Sequence, residues 1–327
     1  MCFASDSDQT ILDAIGNTPL VKLKRLTAGL ECRVLAKLEY FNPSGSIKDR
    51  MARFMIEDAE RRGLLRPGGT IVESTSGNTG AALAMLAALK GYRAIFTIPD
   101  TASKEKIDAL RAFVAEVLIT PSDIPPTHPR SCYEVAKHIA RETPNSYYPD
   151  QYENQANALA HYHTTGPEIW GQVGGEIDYL IAGIGTGGTL SGAAKYLKER
   201  KPSIKAIAVD PKGSVYYDYF KRGKLSEPRT HHTEGIGRDK LCSALRWEYV
   251  DDVVQVSDRR AFEMARRLAR EEGIFAGGSS GAAVHAALKV AKKARRPGTV
   301  VVILPDGGAK YLSKLYNDDW MRSKGFL

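Results

Sequence analysis

Cysteine is scarce: Cys2, Cys32, Cys132 and Cys242 are the only four in 327 residues, and no two form a C-x-x-C pair. The sequence therefore offers neither a zinc knuckle nor a dithiol redox motif, no metal site is expected, and the thiols read as reduced. Long apolar runs are also lacking. The longest, Ala81 to Leu89, is too short to span a bilayer. The opening residues, Met-Cys-Phe-Ala-Ser-Asp, form neither a basic leader nor an apolar signal core, which predicts a cytoplasmic protein without a membrane partner. No charge sign dominates locally. The 46 Lys plus Arg exceed the 38 Asp plus Glu by 8, yet the two signs alternate, as in Glu57-Asp58-Ala59-Glu60-Arg61-Arg62. Such alternation reads as solvated helix surface facing small anions, not as a nucleic-acid footprint. No internal repeat or low-complexity segment stands out.

Length exceeds what one hydrophobic core comfortably supports, so two lobes with a cleft between them are expected. Short Val/Ile-rich runs alternate with helical patterns. Thr70 to Glu73 precedes Ala81 to Lys90, Arg93 to Ile98 precedes Lys104 to Phe113, and Glu116 to Ile119 ends near a turn-rich stretch, Pro121 to Pro129. A helix is predicted over Tyr133 to Arg141, and further strands over Tyr179 to Ile184, Ala206 to Val209 and Val300 to Leu304. Continuous apolar strands separated by helices predict a doubly wound α/β architecture with buried parallel sheets.

Four segments carry chemistry. Asn42-Pro-Ser-Gly-Ser-Ile-Lys48-Asp49-Arg50 sets a lysine at the start of a helical pattern. There the positive end of the macrodipole favours the neutral amine that a Schiff-base lysine needs, although a solvated lysine fits equally well locally. Glu73-Ser74-Thr75-Ser76-Gly77-Asn78-Thr79-Gly80 joins a strand to a helix and concentrates hydroxyl and amide donors, as a cradle for a carboxylate or phosphate would. A plain turn is the alternative. Gly183-Ile-Gly185-Thr186-Gly187-Gly188-Thr189 matches G-x-G-x-x-G, with Asp210 ending the next strand. That pattern fits a nicotinamide dinucleotide, or a loop gripping one phosphate group, and the glycines do not choose between them. Gly277-Gly278-Ser279-Ser280-Gly281 opens another helix, where Ser279 could meet a ring nitrogen or simply cap the helix.

In this order and spacing, the four segments resemble those of the fold-type II pyridoxal-phosphate (PLP) enzymes, the β-replacement family that includes cysteine synthase and cystathionine β-synthase. The likeness runs from Ile11-Leu-Asp-Ala-Ile-Gly16-Asn17-Thr18-Pro19-Leu20 to the C-terminus. It is strongest to the cystathionine β-synthase catalytic core, through Asp150-Gln151-Tyr152, Ala160-His161-Tyr162, Asp210-Pro-Lys-Gly213-Ser214, Glu234-Gly-Ile-Gly237 and Tyr316-Asn-Asp-Asp-Trp320. The resemblance implies two α/β lobes around the cofactor: a smaller mobile one over 45–155, and a larger one from 1–44 and 156–327 that binds the cofactor phosphate. It further implies a homodimer acting on amino acids. Lys48 would carry PLP as a Schiff base and later move the α-proton. Asn78 would meet the ring hydroxyl, Gly185, Thr186, Gly187, Gly188 and Thr189 the phosphate, and Ser279 the pyridine nitrogen. Thr75, Ser76, Thr79 and Gln151 would hold the substrate carboxylate, with Tyr152, Glu234 and Arg238 also facing substrate.

The implied reaction is β-replacement: serine, or an activated serine such as O-acetylserine or O-phosphoserine, joined to homocysteine to give cystathionine. Cysteine synthase with sulfide, or a diaminopropionate-type synthase using O-phosphoserine and an amine, stands as the alternative within the fold. An NAD-dependent oxidoreductase stands outside it. Two features depart from the family pattern. Few residues flank the core, so neither the haem-binding extension nor the tandem regulatory module of some relatives is expected. Arg238-Asp239-Lys240 follows the Gly-Ile-Gly segment where an aromatic residue is more usual, and an arginine fork there suits a phosphate dianion.

Overall fold

The computed structural model describes residues 9–75, 77–113, 115–294 and 296–327. In chain order the elements are β1 (Leu20–Lys22), β2 (Arg33–Leu38), α1 (Lys48–Arg61), β3 (Thr70–Ser74), α2 (Asn78–Lys90), β4 (Arg93–Pro99) and α3 (Lys104–Ala112). Next come β5 (Glu116–Thr120), α4 (Cys132–Glu142), β6 (Ser146–Tyr147), α5 (Ala156–His163), α6 (Thr165–Gln172), β7 (Tyr179–Gly183) and α7 (Gly188–Arg200). The chain continues through β8 (Lys205–Pro211), α8 (Tyr216–Arg222), β9 (Asp252–Val256), α9 (Asp258–Arg267), α10 (Gly278–Lys293), β10 (Thr299–Leu304) and α11 (Asp318–Ser323).

Two sheets result. The larger has the order β1-β2-β10-β7-β8-β9 and is parallel except for β1, which pairs antiparallel with β2. The smaller, β5-β4-β3-β6, is parallel throughout. Strands β3 and β10 are buried along their whole length, as expected of apolar runs covered on both faces. Alternation along β10 sends Val300, Val302 and Leu304 into a core with α9 and α10, and Val301 and Ile303 into a second core with α6 and α7. The smaller sheet divides likewise: Ile71 packs with α1 and α2, and its neighbour Val72 with α4. Helices thus cover both faces of both sheets, which is the doubly wound α/β class predicted.

Each strand predicted from the apolar runs is present, but α2 starts three residues before the predicted Ala81. Its first turn is Asn78-Thr79-Gly80, polar residues buried in the interior, so apolar periodicity alone could not locate its start. Close helix packing also leaves a mark in sequence: a Cβ on Gly281 of α10 would overlap the carbonyl oxygen of Ala261 in α9.

Candidate active site

A cavity of about 350 Å³ is lined by loops and helix starts, with Lys48, Thr75, Asn78, Gln151, Tyr152, Gly185, Thr186, Glu234, Arg238 and Ser279 among its residues; the expected Thr79, Gly187, Gly188 and Thr189 are not in its lining. The expected Ser76 lies outside the described residues.

Lys48 is the first residue of α1, with Ile47 in the cap position. Its surroundings hold it still. Ile47 donates its amide to the Pro305 carbonyl at 2.8 Å, and Asp49 accepts from the Ser44 amide at 2.7 Å. Two residues on, Arg50 donates to both oxygens of Glu39 (2.7 and 2.9 Å) and both of Glu168 (2.6 and 2.8 Å), and Lys37 also donates to Glu168 at 2.8 Å. Burial would raise Glu168, yet hydrogen bonds and charge from Arg50 and Lys37 hold it down to about 2. The base of α1 is therefore anchored by a buried ion network. Burial pushes the Lys48 amine down to about 8, against the nearby carboxylates of Asp306 and Glu39 and assisted by the charge of Lys310. Desolvation is thus the largest of these influences. Among the described residues the Lys48 amine has no hydrogen-bond partner, so it is free to react.

The loop after β3 is built from side-chain hydrogen bonds. Thr75 Oγ1 accepts from the amides of Gly77 and Gly80, each at 3.0 Å, which leaves its own O–H free to donate. Thr79 Oγ1 donates to Gln151 Oε1 at 2.7 Å, while Gln151 Nε2 donates to the Ser74 carbonyl at 3.1 Å. Asp150, immediately before Gln151, has φ +47°, an uncommon conformation for a residue with a side chain. Asn78 donates to Asp306 Oδ2 at 2.8 Å and accepts from Lys310 Nζ at 2.8 Å.

The loop after β7 is built by leaving atoms out. A Cβ on Gly185, Gly187 or Gly188 would overlap the Gly235 carbonyl, Leu245 or Asn157 respectively. Of this loop Gly185 and Thr186 line the cavity, and the Gly188 amide donates to Thr186 Oγ1 at 3.3 Å. Thr186 Oγ1 accepts from Asn157 Nδ2 at 3.0 Å, and Thr189 Oγ1 meets His161 Nε2 at 3.1 Å. Burial keeps His161 well below its usual range and so neutral.

Ser279 is not a helix cap. Gly277 occupies that position of α10, and the buried Ser279 hydroxyl lines the cavity with no partner among the described residues. Asp210, the acid of the dinucleotide pattern, is turned away: its Oδ2 accepts from the Tyr217 amide at 2.9 Å inside α8, and burial raises it to about 7. Glu234 lines the cavity, but Lys106 and Lys314 each donate to one of its oxygens at 2.7 Å. Its charge is therefore already matched. Tyr152 lies beneath the Arg238 guanidinium, whose carbon is 4.1 Å from the ring centroid.

Sequence reasoning missed Asp306, Lys310 and Lys106, single polar residues without a motif, as well as Asn157 and the role of His161. Only His161 left a signal, the Ala160-His161-Tyr162 string already noted. Cys32, Cys132 and Cys242 are free thiols, and Cys2 lies outside the described residues. Among the described residues no helix is long and apolar enough to cross a membrane.

The family described as "Pyridoxal-phosphate dependent enzyme" matches residues 11–306. A cystathionine beta-synthase from Apis mellifera is 46% identical over the whole of this chain, which spans 66% of that protein's length. Cysteine synthase 1 from Neurospora crassa is 43% identical over 96% of this chain and 85% of its own. The crystal structure of an O-acetylserine dependent cystathionine beta-synthase from Helicobacter pylori superposes with a TM-score of 0.87 at 38% identity, covering 96% of this chain and 99% of that one.

Proposed function

Because the chain belongs to the pyridoxal-phosphate dependent enzymes, we propose that it condenses serine, or an activated serine, with homocysteine to give cystathionine. Its cofactor is pyridoxal 5'-phosphate, and the site suits that group: the half-buried Lys48 amine, the close-packed glycine loop at Gly185 and Thr186, and the unpartnered Ser279 hydroxyl share one cavity. When bound, the cofactor supplies an electron sink that lets an amino acid lose its α-proton and β-substituent.

The roles of this chain's residues follow from their chemistry. Lys48, neutral for a substantial fraction of molecules near pH 8, attaches the cofactor and then carries the α-proton. Residues 185–189 hold the cofactor phosphate and Asn78 its ring hydroxyl. Ser279 faces the ring nitrogen and, being a neutral hydroxyl, does not keep it protonated. Thr75, Thr79 and Gln151, with Ser76, receive the substrate carboxylate. Tyr152 and Arg238 border the substrate, while Glu234 borders it as a charge-matched wall. The lobe over 45–155 closes on substrate to exclude water. The protein works as a cytoplasmic homodimer.

The observation that carries this reading is similarity to cystathionine beta-synthase over the whole of this chain, with Lys48, Thr75, Asn78, Gln151, Gly185, Thr186 and Ser279 lining one cavity. Cysteine synthase is the competing assignment, supported by the Neurospora relative. The test has two parts. Borohydride treatment of the visible-absorbing protein should attach the cofactor to the Lys48 peptide, and Lys48→Ala should abolish both label and turnover; a label elsewhere refutes the role of Lys48. A donor-by-nucleophile panel should then give the highest kcat/KM with homocysteine. A preference for sulfide of about tenfold or more would make the enzyme a cysteine synthase.

A further inference from the structure

Arg238 sits in an unusual state for a surface-loop arginine. Its side chain is 11% exposed, and its Nε and Nη2 are buried with no hydrogen-bond partner among the described residues. The nearest carboxylate, Asp239 Oδ1, is 3.6 Å from Nη2, too far for a hydrogen bond. Nε and Nη2 form one edge of the guanidinium, the edge that pairs side-on with two oxygens of a carboxylate or phosphate. The faces of Tyr152 (4.1 Å) and Tyr133 (5.4 Å) offset part of the cost of burying the charge.

The backbone around this arginine is fixed, not slack. Its amide donates to Ser214 Oγ at 2.9 Å, and its carbonyl accepts from the Val215 amide at 3.0 Å. Two positive-φ glycines, Gly235 and Gly237, turn the chain just before it. Arg238 lines the same cavity as Lys48, Gln151 and Thr75, and Lys240 adds a second cation beside Tyr133. By contrast, the acid of this loop, Glu234, is already matched by two lysines. Arg238 therefore brings to the cleft a guanidinium two of whose nitrogens have no hydrogen-bond partner among the described residues.

We propose that Arg238 is a specificity subsite for an oxyanion of the substrate pair, received by its guanidinium. Two groups have this chemistry: the phosphate leaving group of O-phosphoserine, and the carboxylate of an incoming amino-acid nucleophile. The subsite rests on the β-replacement reading and sharpens it, because serine, O-acetylserine and sulfide give this edge no comparable partner beyond the carboxylate that the Thr75 loop would receive.

The experiment compares the parent with Arg238→Met and Arg238→Lys, using ratios of kcat/KM within each protein. In the donor arm, O-phosphoserine is compared with O-acetylserine at saturating nucleophile. In the nucleophile arm, homocysteine is compared with sulfide at saturating donor. A charge-assisted pair lost on truncation lowers the relevant ratio by about tenfold to a hundredfold in Arg238→Met, with partial recovery in Arg238→Lys. A fall in the donor arm assigns the subsite to phosphate, and a fall in the nucleophile arm assigns it to carboxylate. If neither ratio moves by more than about threefold, the subsite is refuted. Should the parent turn over no pair, the β-replacement reading fails separately. The subsite is then read from inorganic phosphate binding by calorimetry on the cofactor-loaded protein: weakening by about tenfold in Arg238→Met sustains it, and equal binding ends it.

Discussion

The loops after β3 and β7 occupy equivalent places, each joining a parallel strand to a helix at the cleft, yet they are built oppositely. The β7 loop is made by omission: its glycines let neighbouring backbone and side chains press so closely that no Cβ fits. The β3 loop is made by connection, since Thr79 bonds to Gln151 and Asn78 to Asp306 and Lys310 from distant parts of the chain, while Thr75 accepts from the loop's own amides. A cradle of bare amides suits a group that stays bound, because it is rigid and needs no adjustment. A web of exchangeable side-chain bonds suits a group that comes and goes, because each bond can pass to the substrate and return. The contrast fits the proposed roles, the cofactor phosphate at the first loop and the substrate carboxylate at the second.

The most damaging way to test this contrast is Gly188→Ala, whose methyl would overlap Asn157. Cofactor affinity should fall by about a hundredfold or more, from lost amide contacts and a displaced α7 N-terminus, as measured by reconstitution of the apoprotein. If the variant retains cofactor like the parent, the loop is not its cradle. A smaller effect is expected on the other side. Thr79→Val removes the donor to Gln151 Oε1, so KM for the donor amino acid should rise by about tenfold or more while cofactor affinity stays within a few-fold. Loss of cofactor instead would merge the two loops into one function.

These two loops also show how much was legible in advance. Both stood out as Gly- and Ser/Thr-rich strings between an apolar strand and a helix, because local backbone demands leave their mark in adjacent residues. Their partners did not. Asp306 and Lys310 reach Asn78 across more than two hundred residues, as isolated polar side chains in a loop. The dinucleotide pattern misled for the same reason: Asp210 has the right spacing, but its carboxylate caps α8 inside the protein and never reaches the cleft.

The smallest predicted effect concerns the charge balance that the β3 loop shares with Lys48. Capture of the cofactor by the apoprotein needs the neutral amine, so its rate should rise with pH around a midpoint near 8, where burial places Lys48. An exposed lysine would give a midpoint near about 10.4. Lys310 helps to hold Lys48 down, so Lys310→Met should move the midpoint upward, by roughly half a unit. A downward shift would mean that the lost bond to Asn78 outweighs the lost charge.

By itself, the sequence determined the alternation of buried parallel strands with helices, the lysine at a helix start, and the two Gly- and hydroxyl-rich loops between strand and helix. Each depends on residues adjacent in the chain. Tertiary structure alone decided which charges are answered. Glu234 is matched by Lys106 and Lys314, one oxygen of Asp210 is held by α8, and the buried Nε and Nη2 of Arg238 have no partner among the described residues. Lys48 is pushed down to about 8 mainly because its neighbours exclude water. Burial and ion pairing are sums over side chains brought together from every part of the chain, in a medium far less polarisable than water, and no local window of sequence contains that sum.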